Sequence, residues 1–265
     1  MDRELTIPIP GAEIHAQRRG AVPRAVFVHG FGSDLHSWDR LWASLGERLP
    51  ALRYDLRDYG RSHSMDEAPF DHAEDLRAIL DACGIACCDL VGLSMGGGIA
   101  LHFALESPER VRRLVLISPA LVAWEWSGAW RELWRPIIAH ARSGRLDEAR
   151  RLWWEHPLFE STRGSAAAAE LHASIQRFAG RQWIRDPQRP MAPDVERLHR
   201  LTTPTLLLTG GRDVEDFRLI AELITASAPS VQRIDAPALG HLLHLEDPEA
   251  CAQRIVGFLD RPIAA

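Results

Sequence analysis

The sequence predicts an α/β protein, with a mostly parallel central sheet, helices on both faces and a helical insertion. Three observations predict it. Short apolar runs alternate with segments of helical period over residues 1–119 and again over 199–265, the rhythm of β-α-β units. Residues 120–198 break that rhythm and contain no clear buried strand. A serine sits among glycines where an apolar run gives way to a helix, in Gly92-Leu93-Ser94-Met95-Gly96.

Taken in order, residues 4–9 and 12–18 flank the turn dipeptide Pro10-Gly11 and read as a hairpin. Ala25-Val26-Phe27-Val28 is apolar throughout, as expected of a strand covered on both faces. A helical stretch at 37–48 and a short strand near 51–55 follow. Leu76, Ile79, Leu80 and Cys83 recur at helical spacing and predict a helix over 71–83. Asp71 can cap it, with Glu74 three positions on, and Gly84 suits its end. Asp89-Leu90-Val91 then leads into Gly92, a helix runs from Ser94 toward Pro108, and Val111–Ile117 is a further strand. After the insertion come a strand at 204–209, a helix at 215–227 and a strand near 231–235. Asp247-Pro248 opens the last helix, a cap followed by proline at the first helical position.

The chain has 265 residues, 46% hydrophobic and 25% charged, enough for a sizeable core. A net charge of −5 argues against nucleic acid as a partner. The four cysteines have no metal or disulfide spacing and are expected as small buried hydrophobes. No basic segment followed by an apolar one opens the chain, and no apolar run approaches the ~18 residues of a membrane span. A cytoplasmic protein with a small-molecule substrate and no membrane partner is expected, as monomer or homodimer. Without a His-Glu-x-x-His run or a phosphate-loop lysine, neither cofactor nor metal is expected.

A serine hydroxyl is a weak nucleophile and needs a neighbouring base. A strand entering and a helix leaving Gly-x-Ser-x-Gly mark Ser94 as that nucleophile on a tight turn. Gly96, Gly97 and Gly98 in succession are poor helix formers, each costing roughly 1 kcal/mol against alanine, which points to close backbone approach there. The base is expected late in the chain at His241, in the loop Gly240-His241; His244 is the alternative and is expected to pack or cap. The pair His241-x-x-His244 has no third ligand for a metal. Asp213, after Gly210-Gly211-Arg212, is the expected acid, with Asp216 and Asp235 read as solvated carboxylates. The order Ser94, Asp213, His241 suits this architecture. The amides of Phe31, in His29-Gly30-Phe31-Gly32, and of Met95 are placed to hold an oxyanion, and His29 to hold its loop.

Together with Asp55-Leu56-Arg57-Asp58-Tyr59-Gly60-Arg61-Ser62, these segments resemble the α/β-hydrolase superfamily over essentially the whole chain. The serine turn is similar to those of 3-oxoadipate enol-lactonases and small carboxylesterases, although Asp58-Tyr59 stands where relatives usually have Gly-His. The resemblance implies an α/β-hydrolase fold. It also implies hydrolysis of a carboxylic ester or lactone of a small, largely apolar substrate through an acyl-enzyme. Relatives with epoxide hydrolase or haloalkane dehalogenase activity have aspartate where this chain has Ser94, and Ser118 leaves no acid at the other usual position. C–C bond hydrolysis of ring-cleavage diketones stays open, as does a lyase or cyclase role similar to the menaquinone-pathway synthase, or ligand binding without turnover. The resemblance further implies that 120–198 form a cap over the site. Trp124, Trp130, Trp134, Trp153 and Trp154 are expected to line the pocket, with Trp126 and Trp183 as further candidates, unless they anchor cap helices instead.

Overall fold

The apolar runs become the central strands. In the computed structural model, which describes residues 2–262, β1 (Arg3–Ile9) and β2 (Ala12–Arg19) form the expected hairpin, with Ile9 opposite Ala12. Met1 and residues 263–265, the outer ends of the expected core segments, lie outside the described residues. The chain continues through β3 (Ala25–Val28), α1 (Asp39–Leu45), β4 (Ala51–Tyr54) and the short β5 (His63–Ser64). α2 (His72–Ala82), β6 (Cys88–Leu93), α3 (Met95–Glu106) and β7 (Val111–Ile117) complete the first half.

Between Ile117 and Thr205 no strand forms among the described residues. That stretch carries α4 (Gly128–Arg142), α5 (Leu146–Glu155), α6 (Glu160–Arg163), α7 (Ala168–Arg177) and α8 (Arg181–Ile184). The alternation then resumes with β8 (Thr205–Gly210), α9 (Glu215–Ser227), β9 (Val231–Ala236), α10 (Leu243–Glu246) and α11 (Pro248–Leu259).

The strand order is β1-β2-β4-β3-β6-β7-β8-β9, with β5 beside β2. Every pairing from β4 to β9 is parallel, and only the β1, β2 and β5 edge is antiparallel. All residues of β3, β4, β6 and β8 are buried, as expected of parallel strands covered on both faces. Each fully buried leucine such as Leu116 contributes about 1.5–3 kcal/mol. The chain leaves β3 for β4 on one side and later returns to β6 on the other. Connections therefore diverge above the carboxyl ends of β3 and β6, where a sheet of this kind opens a crevice.

Local signals account for the helix ends. Asp71 caps α2 by accepting from Ala73 N at 2.7 Å and Glu74 N at 3.3 Å. The helix expected over 37–48 is instead a 3-10 turn at 35–38, α1, and a second 3-10 turn at 46–48. Asp34 caps the first turn through His36 N, and Gly46 at φ +56° stops α1. Cys88 and Cys251 are buried as expected, Cys83 is half-buried, and Cys87 is exposed. Among the described residues, no helix is long and apolar enough to cross a membrane.

Two buried carboxylates tie the helical stretch to the sheet layer. Asp194 accepts from His102 Nδ1 of α3 at 2.9 Å and from Arg197 Nη2 at 2.6 Å. Asp216 of α9 accepts from Ser127 N at 2.9 Å, Ser127 Oγ at 2.7 Å and Trp124 Nε1 at 3.1 Å. Asp216 is thus no solvated loop carboxylate: the start of the helical stretch closes over it.

Candidate active site

Ser94 joins β6 to α3 with φ +52° and ψ −119°. Its backbone is pinned on both sides: the N–H donates to Ile117 O at 3.0 Å, and the carbonyl accepts from Gly98 N at 3.0 Å and Ala120 N at 2.9 Å. Left-handed backbone at a non-glycine residue costs about 1–3 kcal/mol and persists only where the surroundings impose it. The neighbouring glycines explain how the turn fits. A Cβ on Gly92 would run into the Gly96 carbonyl, and one on Gly96 into the carbonyls of Val28 and His29. Close backbone approach, expected from the run Gly96-Gly97-Gly98, occurs at Gly96 and, against Pro119, at Gly97; Gly92 outside the run shows it too.

His241 follows β9 and is 1% exposed. Its Nδ1 lies 2.9 Å from Asp213 Oδ2, just beyond the end of β8, and the other Asp213 oxygen accepts from Val214 N at 2.8 Å. A carboxylate can only accept, so Nδ1 carries a proton, and in the neutral imidazole Nε2 then presents the lone pair. That Nε2 has no hydrogen-bond partner among the described residues. The Phe217 ring packs on the imidazole with centroids 4.3 Å apart.

Ser94, Met95, Phe31 and His241 all line one cavity of about 730 Å³, within the ~300–1,000 Å³ usual for small-molecule sites. Met95 N–H begins α3 and has no carbonyl four residues back within the helix. Behind the Phe31 loop, His29 donates from Nδ1 to Gly30 O at 2.8 Å and accepts at Nε2 from Leu56 N at 3.0 Å. Burial lowers its pKa, which keeps the ring neutral in that bridging arrangement.

The remaining candidates are elsewhere or otherwise engaged. His244 also borders the cavity, but no carboxylate bonds its ring, which packs on Trp38 at 4.9 Å. Burial pushes its pKa down to about 3. Asp235 is exposed and bonds Thr209 and Arg233. Among the described residues, no group of three or more His, Cys, Asp or Glu side chains is arranged to hold a metal ion.

Of the tryptophans, Trp130, Trp134 and Trp153 line the cavity, and so does Trp126, stacked on Trp130 at 4.5 Å. Trp124 and Trp154 do not, which corrects the expectation for both. Trp124 is drawn to Asp216 by its indole N–H. Trp154, adjacent to Trp153 on α5, points another way, with its ring 5.1 Å from His172 and near the Arg163 guanidinium. Trp183 is buried against Phe178 at 4.8 Å, away from the cavity wall. Phe217 and Phe159 also line the cavity and went unnoticed in the sequence. Phe217 lies in the first turn of α9, just after the Asp213 loop. A run of ring contacts links the two loops: His241–Phe217 at 4.3 Å, Phe217–Trp130 at 5.6 Å, Trp130–Trp134 at 6.0 Å and Trp134–Phe31 at 5.1 Å.

Residues 25–254 match the alpha/beta hydrolase family. The chain belongs to that family. This α/β hydrolase is 30% identical over 205 residues to carboxylesterase YbfK of Bacillus subtilis, a match covering 73% of this chain and 64% of YbfK. The aligned part is therefore under two thirds of that relative's length. The chain is 26% identical over 264 residues to 3-oxoadipate enol-lactonase 1 of Acinetobacter baylyi, covering 97% of this chain and 93% of that one. The crystal structure of the enol-lactonase from Burkholderia xenovorans shares the fold, with a TM-score of 0.83 at 20% identity over 97% of this chain and 100% of the other.

Proposed function

We propose that this α/β hydrolase cleaves a carboxylic ester or lactone of a small, largely apolar substrate through an acyl-enzyme on Ser94. The observation that carries the reading is the His241 imidazole, bonded to Asp213 at 2.9 Å through Nδ1 while Nε2 stays free beside the cavity that Ser94 shares. Names of relatives add the bond type: a carboxylesterase and an enol-lactonase both cleave C–O bonds at an acyl carbon.

In this mechanism Ser94 Oγ attacks the substrate carbonyl as His241 Nε2 takes its proton. Asp213 holds the ring in the required tautomer and stabilises the imidazolium. The Phe31 and Met95 amide N–H groups donate to the developing oxyanion, and the N-terminal end of α3 adds a favourable partial charge. His241 then returns the proton to the leaving oxygen, and water repeats the sequence to free the acid. Residues 120–198 act as the cap on a core of 1–119 and 199–265, and Trp126, Trp130, Trp134 and Trp153 form an apolar wall for the hydrocarbon part of the substrate to pack on.

A phosphonate probe followed by peptide mapping tests this directly, with covalent labelling expected at Ser94. Ser94→Ala should lose at least about 10³-fold in kcat/KM on p-nitrophenyl esters. Labelling at another residue, or an active Ser94→Ala protein, would overturn the reading.

A further inference from the structure

The loop that carries His241 is wedged at the residue before it. A Cβ on Gly240 would overlap the Cβ of Ser161 in α6. On its other side, the Gly240 carbonyl fills the place that a Cβ on Gly210 would take, at the end of β8. Arg212 N, next to Asp213, donates to Leu239 O of the same loop at 2.9 Å. The Asp213 loop, the His241 loop and α6 therefore meet around Gly240.

Glu246 of α10 sits at that junction. Its Oε2 accepts from Gly240 N at 2.9 Å and from Ser161 Oγ at 2.7 Å, and its Oε1 accepts from Thr162 Oγ1 at 2.6 Å. Thr162 is fully buried, and Ser161 and Glu246 are half-buried. Hydrogen bonds to an ionised acceptor are roughly twice as strong as neutral ones, so this is a firm tie. None of Glu246, Ser161 and Thr162 lines the cavity, so a substrate held there meets none of them. Asp194 and Asp216 already fasten the helical stretch to the sheet layer. The Glu246 bonds differ from theirs in ending on the backbone next to the proposed base.

We propose that Glu246 is a positioning residue for His241: it fixes the His241 loop against α6, so that Nε2 reaches the Ser94 hydroxyl only while α6 is seated. The proposal rests on the acyl-enzyme reading and deepens it, since α6 then contributes to kcat without touching the substrate. A displacement of about 1 Å in a reacting group can cost ~10²-fold in rate, so a small shift of Gly240 is enough.

Two variants separate positioning from general support. Glu246→Gln keeps the shape but turns an amide, itself a donor, toward groups that donate. Ser161→Ala with Thr162→Val removes the α6 bonds and leaves the Gly240–Glu246 pair. Well below each Tm, kcat on p-nitrophenyl acetate should fall about tenfold or more in both, with KM within about twofold of wild type. A merely structural role would lower Tm and leave kcat of the folded protein unchanged. The proton signal of His241 Nδ1–H, followed by NMR in Ser94→Ala protein, gives a readout without turnover, and adding Glu246→Gln should shift or broaden it. A phosphonate that fails to label Ser94 in wild type overturns the acyl-enzyme, while the NMR comparison still judges the positioning. An unshifted signal, or kcat within about twofold of wild type in Glu246→Gln, overturns the positioning role. A loss in Glu246→Gln without one in the double variant overturns the link to α6. Should Glu246→Gln fail to fold, the double variant decides, in kcat and in the same signal.

Discussion

Gly96 has no room for a side chain, because the carbonyls of Val28 and His29 occupy the place a Cβ would take. Gly96→Ala must push β3 away from α3 and should cost about 1–3 kcal/mol or more, read as a lower urea midpoint. Asp213→Asn removes the acceptor that sets the His241 tautomer while keeping the shape. It should lower kcat by about 10⁴ with little change in Tm. These candidates were picked out in the sequence by what precedes them: Ser94 and Asp213 each follow an apolar run ending in glycine, and His241 follows Gly240 in the loop after the mixed strand Val231–Ala236. Which tryptophans line the cavity was not legible there. Trp153 and Trp154 are neighbours of the same type, and only the packing of α5 decides which one turns toward the cavity.

Two connections between elements carry consequences of their own. Glu246 of α10 accepts from Gly240 N at 2.9 Å, Ser161 Oγ at 2.7 Å and Thr162 Oγ1 at 2.6 Å, joining the His241 loop to α6. Glu246→Ala leaves three donors unmatched and should destabilise by about 1–3 kcal/mol in denaturant titration. At the opposite side of the sheet, His15 of β2 bonds Asp55 Oδ2 at 2.9 Å and also pairs with Glu4 of β1. The Asp55 bond, then that to Glu4, raises the His15 pKa against the opposing effect of burial. The folded protein thus holds this proton more tightly than the unfolded chain does. The resulting stability is complete below the unfolded histidine pKa of ~6.5 and is lost as pH rises through the higher folded value. The Tm difference between wild type and His15→Gln should therefore shrink across that window; a difference that grows with pH would contradict the assignment. None of this was legible in the sequence, because Glu246 and Asp55 act on residues far along the chain.

At the scale of the molecule, the helical stretch and the sheet layer share buried contacts through Asp194, Asp216 and the rings around Phe31. The two should therefore unfold together. Only Trp38 and Trp42 lie outside 120–198, so indole emission follows mainly the helical stretch, whereas far-ultraviolet circular dichroism follows the whole. The two probes should give coincident thermal transitions, and separated midpoints would show independent units. The architecture was readable because parallel strands buried on both faces are mostly apolar, a pattern visible in Ala25–Val28 and in residues 114–117. The folding of 120–198 was not readable beyond its helical content, since its packing depends on which face each amphipathic helix turns to the sheet.

The left-handed backbone of Ser94 has one more implication. Glycine accepts φ +52° freely, so Ser94→Gly should relieve strain and raise Tm by an amount corresponding to about 1 kcal/mol. Selection for heat resistance alone would discard the serine at that corner.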